Sequence, residues 1–367
     1  MDHHFFTHGG WDCLSGPIDR RCYPNSSVRT VHVWGSKIYL GTPKIVAGLA
    51  TFGRLQIREM LEFLALLYDV PLSEWTLLPA VGRFFEHDQE GGQASDFESC
   101  VNLTKAQASG LRLRADDEKV VPDGHYLWFK RLSEKRLAAE TPNMKEWLLL
   151  SRTMTAPGSV KSNASGSATP HRNDGLRYQR REEDGRCRIT GSLAINRDPP
   201  RGKDWSGLHA AHVLPLAWSA ESQIKEMFSP AALETVKASG LHERDLLINT
   251  ILMDMKVHGW FDEYRFGIWP VQEGKKWFGK IFRFEQSKCN VDGEWLLAAA
   301  PPARYSLPAV GVRETPEQRE ARVRDEQERA QDKTRHDLTD DVVLRELLKV
   351  HFLTCLHWHV KGMGWNK

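Results

Sequence analysis

The chain has 367 residues, of which 41% are hydrophobic and 27% are charged, as in ordinary globular proteins. This length exceeds the needs of one small core and predicts two domains joined by linkers. Because 50 Lys and Arg residues nearly balance 48 Asp and Glu residues, the composition excludes a strong overall positive field, and any phosphate-binding surface must be local.

The cysteines and the apolar segments set further limits. The six cysteines are scattered and form no CxxC pair, which excludes a simple four-cysteine zinc site, and we expect them to stay reduced. The N-terminal segment 1–27 lacks the apolar core of a signal peptide, and the apolar stretch at 61–67 is too short to cross a bilayer. We therefore expect an intracellular protein, nuclear or cytoplasmic, with no membrane partner.

The first elements in chain order predict an α/β region. The runs TVHVWG (30–35) and KIYLG (37–41) are β-branched and aromatic and predict strands, and IVAGLAT (45–51) is a candidate third strand. Apolar residues at helical spacing then predict a helix over 54–69. Pro71 is expected to end that helix.

The remaining chain alternates between ordered and polar segments. A Ser/Gly-rich stretch predicts a flexible linker, and a later stretch of mixed charge predicts a solvated helix or a disordered connector. Thr339 is the predicted N-cap of a last helix that packs on a core. The predicted segments are a polar N-terminal segment 1–27, an N-terminal α/β region 28–150, a linker 151–175, a second domain 176–302, a charged connector 303–338 and a C-terminal helix 339–367.

The second domain contains three short runs that carry chemical side chains. His212 lies at the centre of AAHVLPLAW, and DGRCRITG precedes it. Downstream, eight residues separate Asn249 from His258, and Asp262 follows His258 by four positions. Residues four apart on a helix share one face, so His258 and Asp262 can reach one cation.

Together these runs resemble the HNH nuclease family, whose fold is called ββα-metal. The C-R-I-T-G, A-A-H-x-x-P-L-A and N-x8-H-x2-F-D runs are similar to those of fungal HNH-domain proteins. The resemblance implies a first strand at 208–214, a second strand near 246–253 and a helix over 254–264. The expected fold is thus α+β: an N-terminal α/β region, a ββα-metal HNH core and a C-terminal helix.

The resemblance also implies roles for these residues. It predicts a metal-dependent endonuclease that hydrolyses DNA, or RNA as the second choice, with His212 as the base that activates water. Asn249 would hold the loop that directs His212 inward. His258 and Asp262 would bind one divalent ion, with Mg²⁺ expected first and Mn²⁺, Ni²⁺ or Zn²⁺ as alternatives.

One position departs from the family pattern. Many HNH nucleases have an acidic residue or a histidine just before the first histidine, whereas this chain has Ala211. Waters could complete the shell around Mg²⁺, or His212 could itself be a ligand and another group the base. A degenerate site is the third reading, and the alternative function is a catalytically inactive HNH-fold protein that binds nucleic acid or another partner.

Cationic residues near these runs are candidates for contact with a DNA or RNA backbone. Acidic residues are interleaved with them, so ordinary solvated surface is an equal alternative. His209 is expected to face away from His212, because residues three apart on a strand lie on opposite faces, and we therefore assign it no role. The candidate backbone-binding residues are Arg180, Arg181, Arg186, Arg188, Arg201 and Lys203.

Overall fold

The structure is a computed structural model. It describes residues 31–35, 44–49, 54–79 except 69 and 72, 113–139 except 115, 122–123 and 134–135, and 173–360 except 174, 197–202, 219–223, 226, 243–244, 285–290, 292–293 and 306–311. The polar N-terminal segment, the KIYLG run, the predicted linker up to 172 and Arg201 lie outside these residues. Contacts divide the chain into one compact unit of residues 1–146, 284–286 and 356–367 and a second of 147–283 and 287–355.

The first unit contains a mixed sheet and one described helix. Strand β1 pairs antiparallel with β2 and parallel with β4, and β4 also pairs antiparallel with β3 and β5. The order β2–β1–β4–β3 places β1 and β4 at the centre. The elements are β1 (Val31–Gly35), β2 (Lys44–Leu49), α1 (Ile57–Tyr68), β3 (Trp75–Pro79), β4 (Gly124–Ser133) and β5 (Arg136–Ala139).

Helix α1 confirms the sequence prediction for this region. Its apolar residues recur at helical spacing, and Met60, Leu64 and Leu67 are fully buried. Strands β1 and β2 likewise confirm the first and third predicted strands. The mixture of strands and helices in the two units confirms the predicted α+β class.

The second unit is built around two hairpins. Its elements are α2 (Leu176–Asp184), β6 (Ile195–Asn196), β7 (Lys203–Asp204), β8 (Leu208–His212), α3 (Pro230–Ala238), β9 (Thr250–Asp254), α4 (Met255–Asp262), β10 (Phe266–Glu273), β11 (Lys276–Arg283), α5 (Pro316–Gln331) and, up to residue 355, α6 (Val342–Val360). The first hairpin, β8–β9, is followed directly by α4, which gives the predicted strand–strand–helix order.

The β8–β9 hairpin is fixed by its register and by the start of α4. Leu208 pairs with Asp254 and His212 pairs with Thr250 at its two ends. The Asp254 side chain then accepts the backbone N–H of Lys256 at 2.9 Å and caps α4. Helix α2 packs against both strands.

The β10–β11 hairpin and helix α6 cover the other side of this unit's core. Gly267 lies so close to α6 that a Cβ atom there would meet Phe352 Cδ2 at 2.9 Å and Phe352 Cα at 3.2 Å. Only glycine permits this approach. The predicted N-cap at Thr339 is wrong, because α6 begins three residues later and the Thr339 hydroxyl accepts the Trp277 N–H instead.

The charged connector forms a helix rather than a disordered segment. Thr315 and Gln318 make a reciprocal capping box at the start of α5, and Pro316 lies in its first turn. Arg322 turns inward and pairs with Glu314 and Glu326. None of the described helices combines the length and the apolar character that crossing a membrane requires.

Candidate active site

His212 forms a hydrogen-bonded pair with a buried aspartate. Its Nε2 atom lies 3.0 Å from Oδ1 of Asp245, whose side chain is 2% exposed, whereas that of His212 is 25% exposed. Oδ2 of Asp245 accepts the backbone N–H of Asn173 at 3.5 Å. A carboxylate that accepts from Nε2–H fixes the imidazole tautomer and leaves Nδ1 able to take a proton.

Asn249 joins the ends of the connection between β8 and β9. Its side chain is fully buried, its Oδ1 accepts the Leu214 N–H at 2.8 Å and its Nδ2 donates to the Leu214 carbonyl at 2.8 Å. The Val213 N–H donates to the Asn249 carbonyl at 2.9 Å. These three bonds hold the backbone immediately after His212.

His258 lies on α4 and contacts two different side chains. Its Nε2 atom is 3.3 Å from Oδ2 of Asp262, one helical turn further along. Its Nδ1 atom is 3.4 Å from Nδ1 of His209, and the two rings meet edge-on with centroids 5.6 Å apart. His209 lies on the opposite face of β8 from His212, so the structure places His258 against the histidine that sequence reasoning omitted.

The described residues contain no complete metal centre. No group of three His, Cys, Asp or Glu side chains among them is arranged to hold an ion. Ala211, at the position where the family often has a ligand, is fully buried and offers no donor. Among the described residues, His209 and His258 bring two imidazole nitrogens together near this position.

Two of the arginines predicted to bind phosphate are structural. Arg186 is fully buried and donates to the carbonyls of Ala298 at 2.9 Å and Asp332 at 2.6 Å. Arg188 is also buried, pairs with Asp184 and donates to a carbonyl. The predicted phosphate contacts of Arg186 and Arg188 are wrong, because buried guanidinium groups that bond protein oxygens cannot reach a nucleic acid.

Arg180 is also committed to internal contacts. Its side chain is 12% exposed and donates to the Leu247 carbonyl at 2.6 Å, to Thr250 Oγ1 at 3.1 Å and to Asp184 at 3.1 Å. These bonds tie α2 to the start of β9. Arg180 therefore supports the segment that carries Asn249 rather than a nucleic acid.

A surface beside the hairpin combines cations with aromatic rings. The Arg181 guanidinium donates to the carbonyls of Trp205 and Leu208 and lies 5.9 Å from the Trp205 ring. Lys203 Nζ lies 5.2 Å from the same ring, and Arg177 lies 5.2 Å from the ring of the exposed Tyr178. We call this surface the basic–aromatic strip; it consists of Arg177, Tyr178, Arg181, Lys203 and Trp205.

Charged residues of the basic–aromatic strip affect the pKa of His209. Burial is the largest cause that lowers the pKa of His209; the neighbouring His258, Arg181 and Arg177 lower it further, whereas Asp254 opposes the shift. Two cations of the strip, Arg177 and Arg181, thus act electrostatically on His209.

Sequence reasoning missed Asp245 and the position of His209. Asp245 lies 33 positions from His212, and no local spacing links the two. His209 could have been found from strand alternation, because it shares a face of β8 with Ala211, the expected ligand position. The pairing of Arg180 with Asp184 could have been predicted from the sequence, because residues four apart on a helix share one face.

Comparison with known proteins identifies the part of the chain that carries this site. Residues 187–268 match the family model of HNH endonucleases. The match includes His212, Asn249, His258 and Asp262, confirms the predicted family and indicates a nuclease or nucleic-acid-binding function. No curated protein and no solved structure gives a match, so the narrower resemblance to fungal members is not supported.

Proposed function

From the HNH domain at residues 187–268 we propose that this protein is a metal-dependent endonuclease that cleaves phosphodiester bonds of DNA, with RNA as the second candidate substrate. The observation that carries the proposal is the hydrogen bond between the partly exposed His212 and the buried Asp245. A surface histidine with no role rarely has a buried carboxylate dedicated to one ring nitrogen.

His212 acts as the general base in this proposal. A water molecule attacks the phosphorus, His212 Nδ1 takes its proton, and the bond from phosphorus to the leaving oxygen breaks. Asp245 holds the imidazole through Nε2–H and stabilises the imidazolium that forms. Asn249 keeps the adjacent backbone in place, so that the imidazole does not have to reorient before each turnover.

A divalent metal ion is part of this proposal, with donors from helix α4. HNH domains typically bind such an ion, and His258 with its neighbour Asp262 are the residues proposed to hold it here. When bound, the ion would neutralise negative charge on the phosphate and the leaving oxygen. The protein residues orient the substrate and move the proton.

The basic–aromatic strip is the proposed contact for the nucleic-acid backbone. Arg177 and Lys203 present positive charge beside the hairpin, and Trp205 and Tyr178 offer rings on which a base can stack. Such contacts carry little sequence information. The proposal therefore includes weak sequence selectivity.

The second candidate is an HNH-fold protein that binds nucleic acid without cutting it. The buried Ala211 and the lack of a three-residue metal centre among the described residues favour this alternative. Both candidates predict binding through the same strip. They differ in whether a phosphodiester bond is broken when metal is supplied.

A plasmid-nicking assay tests the proposal. The full chain is incubated with Mg²⁺, Mn²⁺, Ni²⁺ or Zn²⁺, and with EDTA, which should abolish cleavage. His212→Ala should lower the rate by about 10²–10⁴ without changing DNA binding, and added imidazole should restore part of it. His336→Ala, which removes a similar His–Asp pair outside the matched segment, is the matched control.

The outcomes separate the two candidates. A folded His212→Ala protein that cuts at the wild-type rate would eliminate His212 as the base. A wild-type protein that binds DNA but cuts with none of the four ions supports the binding-only alternative. Equal loss in His336→Ala would show that the assay reports stability rather than chemistry.

A further inference from the structure

The second unit contains a cavity of about 480 Å³ between helix α2, the start of strand β9 and the beginning of helix α6. Sites for small molecules usually measure roughly 300–1,000 Å³, so this cavity is large enough to hold one. The described residues that line it belong neither to the His212–Asp245 pair nor to the basic–aromatic strip. Its apolar wall consists of Leu247, Ile248, Ile251, Leu296 and Leu344.

The buried charges in the wall of this cavity are unbalanced. Arg180 and Arg188, whose side chains are 12% and 6% exposed, both donate to Oδ1 of the buried Asp184. Oδ2 of that carboxylate already accepts the Leu252 N–H at 3.0 Å. Two buried guanidinium groups therefore share one buried carboxylate, which leaves an excess of one positive charge.

The other two carboxylates of the wall are much more exposed to solvent. Glu183 is 47% exposed and lies 3.7 Å from Arg180, and Asp341 is 40% exposed and lies 2.7 Å from Nε2 of His336. The hydrogen bond with His336 lowers the pKa of Asp341 most, and both arginines lower it further against the effect of burial. Because water screens exposed charges, these two carboxylates offset the buried excess only weakly.

Arg188 also has a donor that lacks an acceptor. Its Nε donates to the Leu297 carbonyl and its Nη1 donates to Asp184. Its buried Nη2 has no hydrogen-bond partner within the part of the chain that the structure describes. An unpaired buried donor is unfavourable, and more so on a charged group. An acceptor oxygen inside the cavity would remove this cost.

We propose that this cavity binds a small amphipathic carboxylate, with the acid group on the Arg188 guanidinium and the hydrocarbon body against the apolar wall. Guanidinium groups match the geometry of a carboxylate. Its single charge equals the buried excess, whereas a phosphate monoester would bring a second negative charge near Asp184 and Asp341. The site does not depend on the proposed nuclease, because binding is measured without nucleic acid.

Calorimetric titration of the full chain with 4-phenylbutyrate and with 4-phenylbutanol tests the proposal. The two probes share an apolar body, but only phenylbutyrate has a carboxylate. We expect saturable binding of phenylbutyrate and at least about tenfold weaker binding of phenylbutanol. Arg188→Lys keeps a cation beside Asp184 but removes the guanidinium, so it should weaken phenylbutyrate binding about tenfold and leave phenylbutanol binding unchanged. Arg324→Lys, at an exposed arginine outside the cavity, is the matched control.

Two further measurements locate the probe and do not require Arg188→Lys to fold. Leu344→Trp fills the cavity and should abolish binding of both probes, whereas Val323→Trp, at an exposed position on α5, should leave binding unchanged. In methyl NMR spectra, phenylbutyrate should shift the signals of Leu247, Ile248 and Leu344. No saturable binding, equal affinity for the two probes, or shifts confined to residues outside the cavity would overturn the proposal.

Discussion

At the scale of single residues, Asp245 has a role that a stability measurement alone would not reveal. Asp245→Asn keeps the size of the side chain but removes the charge that orients His212 and stabilises its protonated form. We expect kcat to fall at least tenfold while KM for plasmid DNA stays constant. Asp340→Asn, an exposed aspartate on the same unit, should change neither value. A rise in KM with an unchanged kcat would contradict the assigned role.

His351 links the stability of the second unit to pH. The ring is buried and stacks on Phe261 with centroids 3.7 Å apart, and burial lowers its pKa from 6.5 to about 4. Between those pH values the unfolded chain binds a proton that the folded chain does not. The free energy of unfolding should therefore fall by about 1.4 kcal/mol per pH unit as the pH drops through this window.

His351→Phe is the variant that isolates this contribution. Phenylalanine can keep the stacking on Phe261 but cannot take up a proton. Chemical denaturation at pH 7 and near pH 5 should show a smaller loss of stability in the variant than in the wild type. An identical pH dependence in both proteins would show that other groups dominate acid unfolding.

At the scale of elements, the buried Asp184 fastens α2 to the hairpin. Its carboxylate pairs with Arg180 and Arg188 and accepts the Leu252 N–H at 3.0 Å. Asp184→Ala removes the carboxylate that pairs with the buried Arg188 and the partly buried Arg180, so we expect the free energy of unfolding to fall by about 3 kcal/mol. Urea denaturation measures this loss.

Glu183→Ala provides the control for Asp184→Ala. Glu183 is the next residue on α2, is 47% exposed and lies 3.7 Å from Arg180. Exposed pairs of this kind contribute little, so the control should change stability by about 0.5 kcal/mol or less. Comparable losses of unfolding free energy in the two variants would show that the contacts of Asp184 do not hold α2 in place.

The elements that sequence could predict are those whose pattern is local. The apolar spacing of α1, the run around His212 on β8 and the helical spacing at His258 on α4 each lie within a short window, and these three elements lie close to their predicted positions. The paired strands β10 and β11 were not anticipated, because their burial depends on contact with Phe352, about 80 residues later. Asp245 could not be predicted for the same reason, because it lies 33 positions from its partner His212.

Charged residues were harder to predict than apolar ones. A run of arginines indicates charge but not direction, and Arg186 and Arg188 point into the unit, where they bond carbonyls of later segments. Those carbonyls come from residues more than 100 positions away. Only the folded chain shows which cations remain for a substrate.

At the scale of the whole molecule, the near balance of charge means that the proposed nucleic-acid binding rests on the basic–aromatic strip. We expect Arg177→Gln with Lys203→Gln to weaken binding to unrelated DNA duplexes alike. Each phosphate contact contributes a log–log salt slope of about −0.9, so the double variant should lose up to about two units of slope. Binding titrations at several salt concentrations measure both effects.

Arg324→Gln, together with Arg313→Gln, is the control for net charge. Both arginines are exposed and lie outside the strip and the matched segment. This pair should change the salt slope little, although it removes the same charge. One duplex bound far more tightly than the others, with a shallow salt dependence, would show that the protein reads bases.

The bonds between Asn249 and Leu214 have a consequence for how this domain can vary. They close the connection between β8 and β9 at its root, so the loop-closure entropy of a longer connection would rise by only about 0.6 kcal/mol per doubling of its length. After α3, Gly240 turns at φ 76°, and nothing in the described chain lies within 4 Å of its Cβ position. Asp245 lies five residues after Gly240 in the same connection, so a segment inserted at Gly240 must leave the Asp245 backbone in place to preserve its hydrogen bond with His212.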